Sequence, residues 1–448
     1  MPEPRVDMPP SAFDAVELFV IDTNGIPRGK RIPAAELEDA RKGAVRLIGS
    51  IFALDSHGEN VDAVGLAMAT GDGDRRLVPT DGRLLPLAWE RVPTAALAMR
   101  MVEDDGTPFF ADPRNVLQAV LARFEPLGLT PVVACELEFY LTDRARDAAG
   151  GPQPPKAPLT GRAEPVTATY SLDDLQAFAP FLDAVAATCR SWDVPASSAL
   201  SEYAPGQFEI NLHHVADAVA AADHAALLKR AVRGHARALG MDATFLAKPY
   251  AERAGSGLHI HVSLVDRAGR NVFAGRGEAA AEPLRHALGG LMATLDEGTA
   301  IFAPNPNSYR RLQRGSYAPV MPSWGFDNRT VALRVVGEGA ARRIEHRQAG
   351  ADANPYLVMA AVLAGIHHGL TGRIDPGPPA AGNAYEDGRT PLPQRLGDAL
   401  PRFAAGAVLR EHLGADFHRL YHLLRRGELE RFERENIAHE HAWYLPVI

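Results

Sequence analysis

The sequence predicts an α+β protein with more than one domain, and three observations lead there. The chain has 448 residues, more than one hydrophobic core usually serves, so two or three domains are expected. Several short segments alternate apolar and polar residues with period two, the pattern of strands in a half-covered antiparallel sheet. A separate set of segments carries helical apolar spacing behind recognisable caps.

In chain order, residues 1–12 are proline-rich and read as loose. Residues 16–21 and 97–102 read as strands, with turn signals at Asn24-Gly25 and Gly71-Asp72-Gly73 between them. The polar stretch from Glu103 to Thr107 marks a boundary, giving a first domain at 1–105 and a second at 106–448. A helix opens at Asp112, a good N-cap, with Pro113 in the first helical position. Val116, Leu117, Val120, Leu121 and Phe124 form its apolar stripe. Further helices are expected near Ser171, from near Asp223 to Gly240, and at Asn354-Pro355. Residues 151–158 and 376–379 read as surface loops. There is no internal repeat and no heptad run.

Bulk properties exclude several classes. Net charge is 47 − 55 = −8, so no nucleic-acid footprint is expected. Hydrophobic residues make up 46%, which supplies a substantial core. Cys135 and Cys189 are too few for a disulfide scaffold and form no CxxC pair, which points to a reducing cytoplasm. The first residues lack the basic and apolar regions of a signal peptide, and the longest apolar run, 356–366, is too short to span a bilayer. The expectation is a cytoplasmic protein with neither nucleic acid nor membrane as partner.

Chemistry concentrates on one face of four strands. In 131–141, Val133, Cys135, Leu137, Phe139 and Leu141 share one face, and Glu136 and Glu138 share the other. In 206–213, Phe208, Ile210 and Leu212 oppose Gln207, Glu209 and Asn211, with Glu202 just before. In 258–264, Leu258, Ile260, Val262 and Leu264 alternate with His259, His261 and Ser263. In 343–347, Arg343, Glu345 and Arg347 oppose Ile344 and His346. A solvated sheet face would explain the alternation of any one strand. Across all four, however, the polar face is nearly all Glu, His and Arg rather than the Lys and Thr that water-facing strands carry. Glu136, Glu138, Glu202, Glu209, His259 and Glu345 can hold two hard divalent cations, and the arginines offer forked donors for phosphate and carboxylate. Metals beside arginines around a polar cavity suit phosphoryl transfer. There is no GxxxxGK[ST] loop and no Rossmann glycine fingerprint.

At these residues the chain resembles the glutamine synthetase superfamily, nearly end to end. The resemblance lies in ELEFY from Glu136, EYAPGQFE from Glu202 to Glu209, GSGLHIH from Gly255 to His261, NSYRRL from Asn307, Asn328-Arg329, RIEHR from Arg343 to Arg347, and NPYL from Asn354. Within it the chain looks most like bacterial glutamate–putrescine ligases, through NGIPRGKRIP from Asn24, AKPY from Ala247, SWGFDNRTVAL from Ser323 and AGADAN from Ala349. The resemblance implies a small N-terminal β-grasp domain, a large catalytic domain with a curved antiparallel sheet flanked by helices, and a double hexameric ring whose sites are shared between subunits.

It also implies ATP and two Mg²⁺ or Mn²⁺ as cofactors, with glutamate and an amine as substrates. One cation would be held by Glu138, Glu202 and Glu209, the other by Glu136, His259 and Glu345. His261, Ser263 and Arg343 match ATP-contacting positions. Arg329 and Arg334 match groups that neutralise the transferred phosphoryl. Arg311 and Arg347 match the clamp on the glutamate α-carboxylate, with Gly255 as a backbone contact. Asp55 lies where the family places its amine-deprotonating acid, on a loop from the adjacent subunit, although LDSHG departs from the usual pattern. Glu59 and Asp62 are candidates to hold the second ammonium of a diamine, or are solvated loop charges.

Two departures bear on the amine. Tyr317 stands where glutamine synthetases carry a flap Glu that helps enclose ammonium, and Ala254 stands where they usually have Asn. Both fit a site remodelled for a larger amine. The implied reaction forms a γ-glutamyl amide through γ-glutamyl phosphate, with putrescine as first choice of amine. Glutamine synthetase itself, a ligase for another amine such as ethanolamine, and a ring-forming pseudoenzyme stand as alternatives.

Overall fold

The computed structural model describes residues 9–163, 169–277, 280–386, 388–435 and 440–448. Of the proline-rich start, residues 1–8 lie outside the described residues, and Pro10–Ala12 form a single helical turn.

Two curved sheets with helices make up a mixed α/β fold. The first is six-stranded and comes from residues 15–102. Its order is Pro27–Pro33, Ala15–Ile21, Thr94–Val102, Asp74–Pro79 and Arg46–Ile48, with Leu85–Pro86 also on Thr94–Val102. Ala15–Ile21 and Thr94–Val102 run parallel; the other pairs are antiparallel.

The second sheet is nine-stranded and carries the chemistry. Its order is Trp324–Phe326, Leu333–Val336, Arg343–His346, Leu258–Asp266, Leu129–Arg146, Gln207–Leu212 and Ala196–Ser201. Met241–Thr244 and Pro152–Gln153 also pair with Leu129–Arg146. The expected antiparallel sheet is found with one exception: Trp324–Phe326 and Leu333–Val336 are parallel. The apolar faces read from the sequence are the buried ones. Val133, Cys135, Leu137, Phe139, Phe208, Ile210, Leu258, Ile260 and Val262 are each at most 4% exposed.

Helices cover that face. Asp112 caps Pro113–Ala122 by accepting from Arg114 N, and Ser171 caps Leu172–Ala177. The helix expected near Asp223 begins five residues earlier, at Ala218. Asp217 accepts from Val219 N and Ala220 N there, and the alanine run carries the helix straight through Asp223. Asp223 pairs instead with Arg114 at 2.9 Å. Pro355–Gly372, capped by Asn354, is buried along nearly its whole length and packs on Glu282–Phe302. Gly290, Gly365 and Gly369 permit that approach, since a Cβ on Gly290 would lie 2.0 Å from the Gly365 carbonyl. The surface loop expected at 151–158 is corrected in part. Pro152–Gln153 adds to the edge of the long strand, and Gly151, Pro152, Pro155 and Ala157 are buried. Both cysteines are free and buried. No described helix is long and apolar enough to cross a membrane.

Candidate active site

The four strands bearing acids, imidazoles and arginines are neighbours in one sheet, and register decides which side chains meet. Antiparallel pairing sets Glu209 opposite Glu138, Asn211 opposite Glu136, and His259 opposite Glu136. One strand further out, His261 lies opposite Glu345, and Arg334 opposite Glu345. Directly opposed Cβ atoms sit about 5 Å apart, so these rows project into one volume.

Within it the acids hold the imidazoles. His261 Nδ1 accepts from Arg343 Nε at 3.0 Å, so its ring proton sits on Nε2, which donates to Glu136 Oε1 at 2.8 Å. His259 Nδ1 lies 3.2 Å from Glu136 Oε2 and 3.5 Å from Glu345 Oε1. Glu345 is buried and accepts from Arg334 Nη1 at 3.0 Å and from Arg347 Nη1. Ligand atoms of Glu136, His261 and Glu345 all lie within 4.8 Å of one another, the one such trio among the described residues. The resemblance put His259 in that set and His261 at the nucleotide. In this structure His259 borders the same volume and His261 completes the trio.

Electrostatics divides the acids. Burial pushes the Glu136 carboxyl up, but hydrogen bonds from His259 and His261 outweigh it and hold the group well below the usual range. Glu345 is likewise held down, because Arg347 and the imidazoles more than offset its burial. Glu202 and Glu209 go the other way. Burial and the charge of Glu138 raise Glu202 to about 7; burial with Glu138, Glu136 and Glu202 raises Glu209 to about 9. Glu138 faces the same volume, and its Oε2 accepts from Gly257 N at 2.9 Å. Crowded buried carboxylates that resist ionisation suit an added cation, and oxygens with an imidazole suit Mg²⁺ or Mn²⁺.

Arg311 is buried and donates to the Gln348 carbonyl at 3.0 Å and the Arg347 carbonyl at 3.3 Å. It rests on glycines. A Cβ on Gly257 would fall 2.6 Å from Arg311 Nη2, and one on Gly255 would fall 2.8 Å from Arg311 Cγ. Tyr317, 51% exposed, holds φ 58°, a strained value for a bulky side chain, and its carbonyl accepts from Arg347 Nη2 at 3.4 Å. Ser263 follows His261 on the same face and is buried. Arg329 is exposed, and its charge acts on Glu202 and Tyr170. Arg334 also pairs with Asp327.

Asp55 is placed elsewhere. It is buried against the helix Ala415–Arg434, from which Arg431 Nη1 donates to Oδ2 at 2.5 Å, while Oδ1 accepts from His57 N and Glu59 N of its own loop. None of these contacts is with the acid cluster. Glu59 and Asp62 are exposed. Three residues at the site had been given no role from sequence. Gln207 Nε2 donates to the Gly255 carbonyl at 3.0 Å, Asn211 Nδ2 donates to Glu209 Oε1 at 3.1 Å, and Asp327 holds Arg334. The first two were legible, since period two puts both on the Glu209 face.

Comparison with known proteins agrees with this geometry. The family model described as glutamine synthetase, catalytic domain, matches residues 110–444. Gamma-glutamylputrescine synthetase PuuA of Escherichia coli is 44% identical over 96% of this chain and 91% of its own length. Gamma-glutamylethanolamide synthetase GlnA4 of Streptomyces coelicolor is 33% identical over 94% of this chain and 90% of its own. Among solved structures, one titled GmaS/ADP complex-Conformation 1 superposes with a TM-score of 0.83 at 27% identity, covering 98% of this chain and all of that one.

Proposed function

We propose that putrescine, or another polyamine, is the amine used by this chain, which belongs to the glutamine synthetase family and is an ATP-dependent ligase forming γ-glutamyl amides. The observation that carries the amine is Tyr317. A neutral, exposed ring stands where the ammonium-using enzymes carry a flap carboxylate, so the charge that encloses a small cation is replaced by a surface an alkyl chain can lie against. The likeness to the E. coli putrescine enzyme supports the same choice.

In this reading Arg311, Arg347 and the Gly255 backbone hold the α-carboxylate of glutamate. Arg311 suits that role because its hydrogen bonds among the described residues go to carbonyls, so no carboxylate occupies its fork, while Glu138 and Asp352 act on its charge only at a distance. The γ-carboxylate attacks the γ-phosphorus of ATP, forming γ-glutamyl phosphate and ADP. Arg329 and Arg334 offset the developing negative charge, an electrostatic effect of several kcal/mol in such sites. His261, Ser263 and Arg343 face the nucleotide. Glu138, Glu202 and Glu209 would hold one Mg²⁺ or Mn²⁺, and Glu136, His259 and Glu345 the other. Bound cations supply charge compensation for the phosphates.

The amine has a pKa of roughly 10 and must lose a proton before it attacks the acyl phosphate carbonyl and expels phosphate. Asp55, offered by the adjacent subunit of a double hexameric ring, is the proposed acceptor. Glu59 and Asp62 would hold the second ammonium. We further read residues 1–105 as a β-grasp domain and 106–448 as the catalytic domain. Two separate sheets, from 15–102 and from 129–346, support that division. Two free, buried cysteines fit a cytoplasmic site of action.

The test is phosphate release from ATP and glutamate with ammonium, putrescine, spermidine and ethanolamine in parallel. Putrescine should give the highest kcat/KM. A higher value for ammonium would overturn the amine assignment.

A further inference from the structure

We propose that Asp352 positions the Arg311 guanidinium, through buried hydrogen bonds to Asn305 and Ser308, and so sets the affinity for glutamate without touching it. This rests on the reading of Arg311 as part of the α-carboxylate clamp.

Arg311 ends the helix Ser308–Arg311, which has four residues and is too short to hold an orientation by itself. Its direction must come from what grips its first turn. Ser308 Oγ donates to Asp352 Oδ2 at 2.7 Å, and Asn305 Nδ2 donates to the same oxygen at 2.8 Å. Asn305 and Ser308 also bond each other, Asn305 N to Ser308 Oγ and Ser308 N to Asn305 Oδ1, each at 3.2 Å. On the other flank Asn307 exchanges two bonds with the Lys248 backbone at 2.8 and 2.9 Å.

Asp352 stands on the turn that leads out of the strand Arg343–His346, five positions after Arg347. That turn is itself pinned. Leu258 N donates to the Ala349 carbonyl at 2.9 Å, and Ala351 N to the Ser256 carbonyl at 3.0 Å. Lys229 Nζ reaches in from the helix Ala218–Ala238 to the carbonyls of Ala351 at 2.5 Å and Ala353 at 3.1 Å. The tip of Arg311 returns to the same segment through the carbonyls of Arg347 and Gln348. Base and tip of one arginine are therefore referenced to one turn, which also carries Arg347, the second half of the clamp.

The chemistry of Asp352 argues for a role beyond stability. It is 3% exposed, and its Oδ1 has no hydrogen-bond partner. That oxygen lies against Gly350, where a Cβ would come within 2.4 Å. Burying a carboxylate with one oxygen unpaired is costly, and a fold gains little from it. A fixed acceptor that holds two donors at one point does serve a positioned guanidinium, because catalytic sites lose rate or affinity when a clamp moves by about 1 Å.

Asp352→Ala in the full enzyme should raise KM for glutamate about tenfold or more, with KM for ATP and putrescine within about twofold of wild type. Asp352→Asn keeps one accepting oxygen and should return most of the glutamate affinity. Ser308→Ala removes one donor and should move glutamate KM selectively in the same direction. If Asp352→Ala does not fold, Ser308→Ala decides alone. An unchanged glutamate KM, or a parallel rise in all three KM values with a fallen melting temperature, overturns the proposal. Arg311→Lys tests the underlying reading separately. If it leaves glutamate KM untouched, the clamp assignment fails, whatever Asp352→Ala does.

Discussion

Glu345→Gln removes the one negative charge that faces Arg334 and Arg347 together. At 1% exposure the carboxylate accepts from both guanidinium groups and stands 3.5 Å from His259 Nδ1. Glutamine keeps the volume but turns an amide NH₂ toward a guanidinium, donor against donor, and leaves the buried Arg347 without its carboxylate and Arg334 with Asp327 alone. Breaking a buried pair this way costs about 3–5 kcal/mol. The Arg334 side chain is 16% exposed and keeps Asp327, so the lower end, about 3 kcal/mol, is expected. Glu136→Gln is the control. Its carboxylate is 27% exposed and bonds imidazoles rather than arginines, so a loss of about 1–1.5 kcal/mol is expected. Guanidinium unfolding without nucleotide or divalent metal, followed by circular dichroism and tryptophan fluorescence, measures both, provided the slope with denaturant is unchanged. Turnover should fall by about a thousandfold or more in each. Equal midpoints for the two variants would refute the claim that Glu345 balances the arginines. Normal turnover in both would refute the site.

Three further outcomes follow from particular contacts. Gly257→Ala puts a Cβ 2.6 Å from Arg311 Nη2 and 2.9 Å from His259 Nε2, so glutamate KM should rise by about tenfold or more in steady-state assays. Tyr317→Glu should raise the ratio of ammonium to putrescine kcat/KM by about tenfold, measured by phosphate release, because it returns a charge able to enclose a small cation. Glu297 gives a pH signature. Burial raises its carboxyl to about 7, against lowering by the backbone N–H groups of Leu409 and Val408. The native chain therefore binds more protons than the unfolded chain between about 4.5 and 7, and this group's contribution is lost as pH rises through that window. Glu297→Gln should flatten the slope with pH and, at pH 8, raise the unfolding free energy measured by guanidinium denaturation by up to roughly 2–3 kcal/mol.

Much of the site was legible from period two. Glu136 with Glu138, Gln207 with Glu209 and Asn211, and His259 with His261 and Ser263 were each assigned to a common face, and their opposite faces are the buried core. Caps at Asp112, Ser171 and Asn354 were also readable, because a short acceptor before an apolar stripe is a local signal. The start at Ala218 was misjudged because alanine marks no boundary, and Asp217 and Asp223 are equally good caps on paper. The 151–158 segment looked exposed because prolines and glycines resemble loops even where they pair at a sheet edge.

What the sequence determined by itself was composition of faces: which side chains travel together on one side of each strand. That information is local, since it depends on the alternation of successive Cβ directions. Tertiary structure alone decided which faces meet and in what register, and that both imidazoles border Glu136, His259 at 3.2 Å and His261 at 2.8 Å, with Glu345 completing a trio with Glu136 and His261. It also decided that Asp55 is engaged by Arg431, 376 positions away, and that Asp352 accepts from Asn305 and Ser308 where the helix ending in Arg311 begins. Such pairings depend on how distant segments pack, and no repeat or spacing along the chain encodes them.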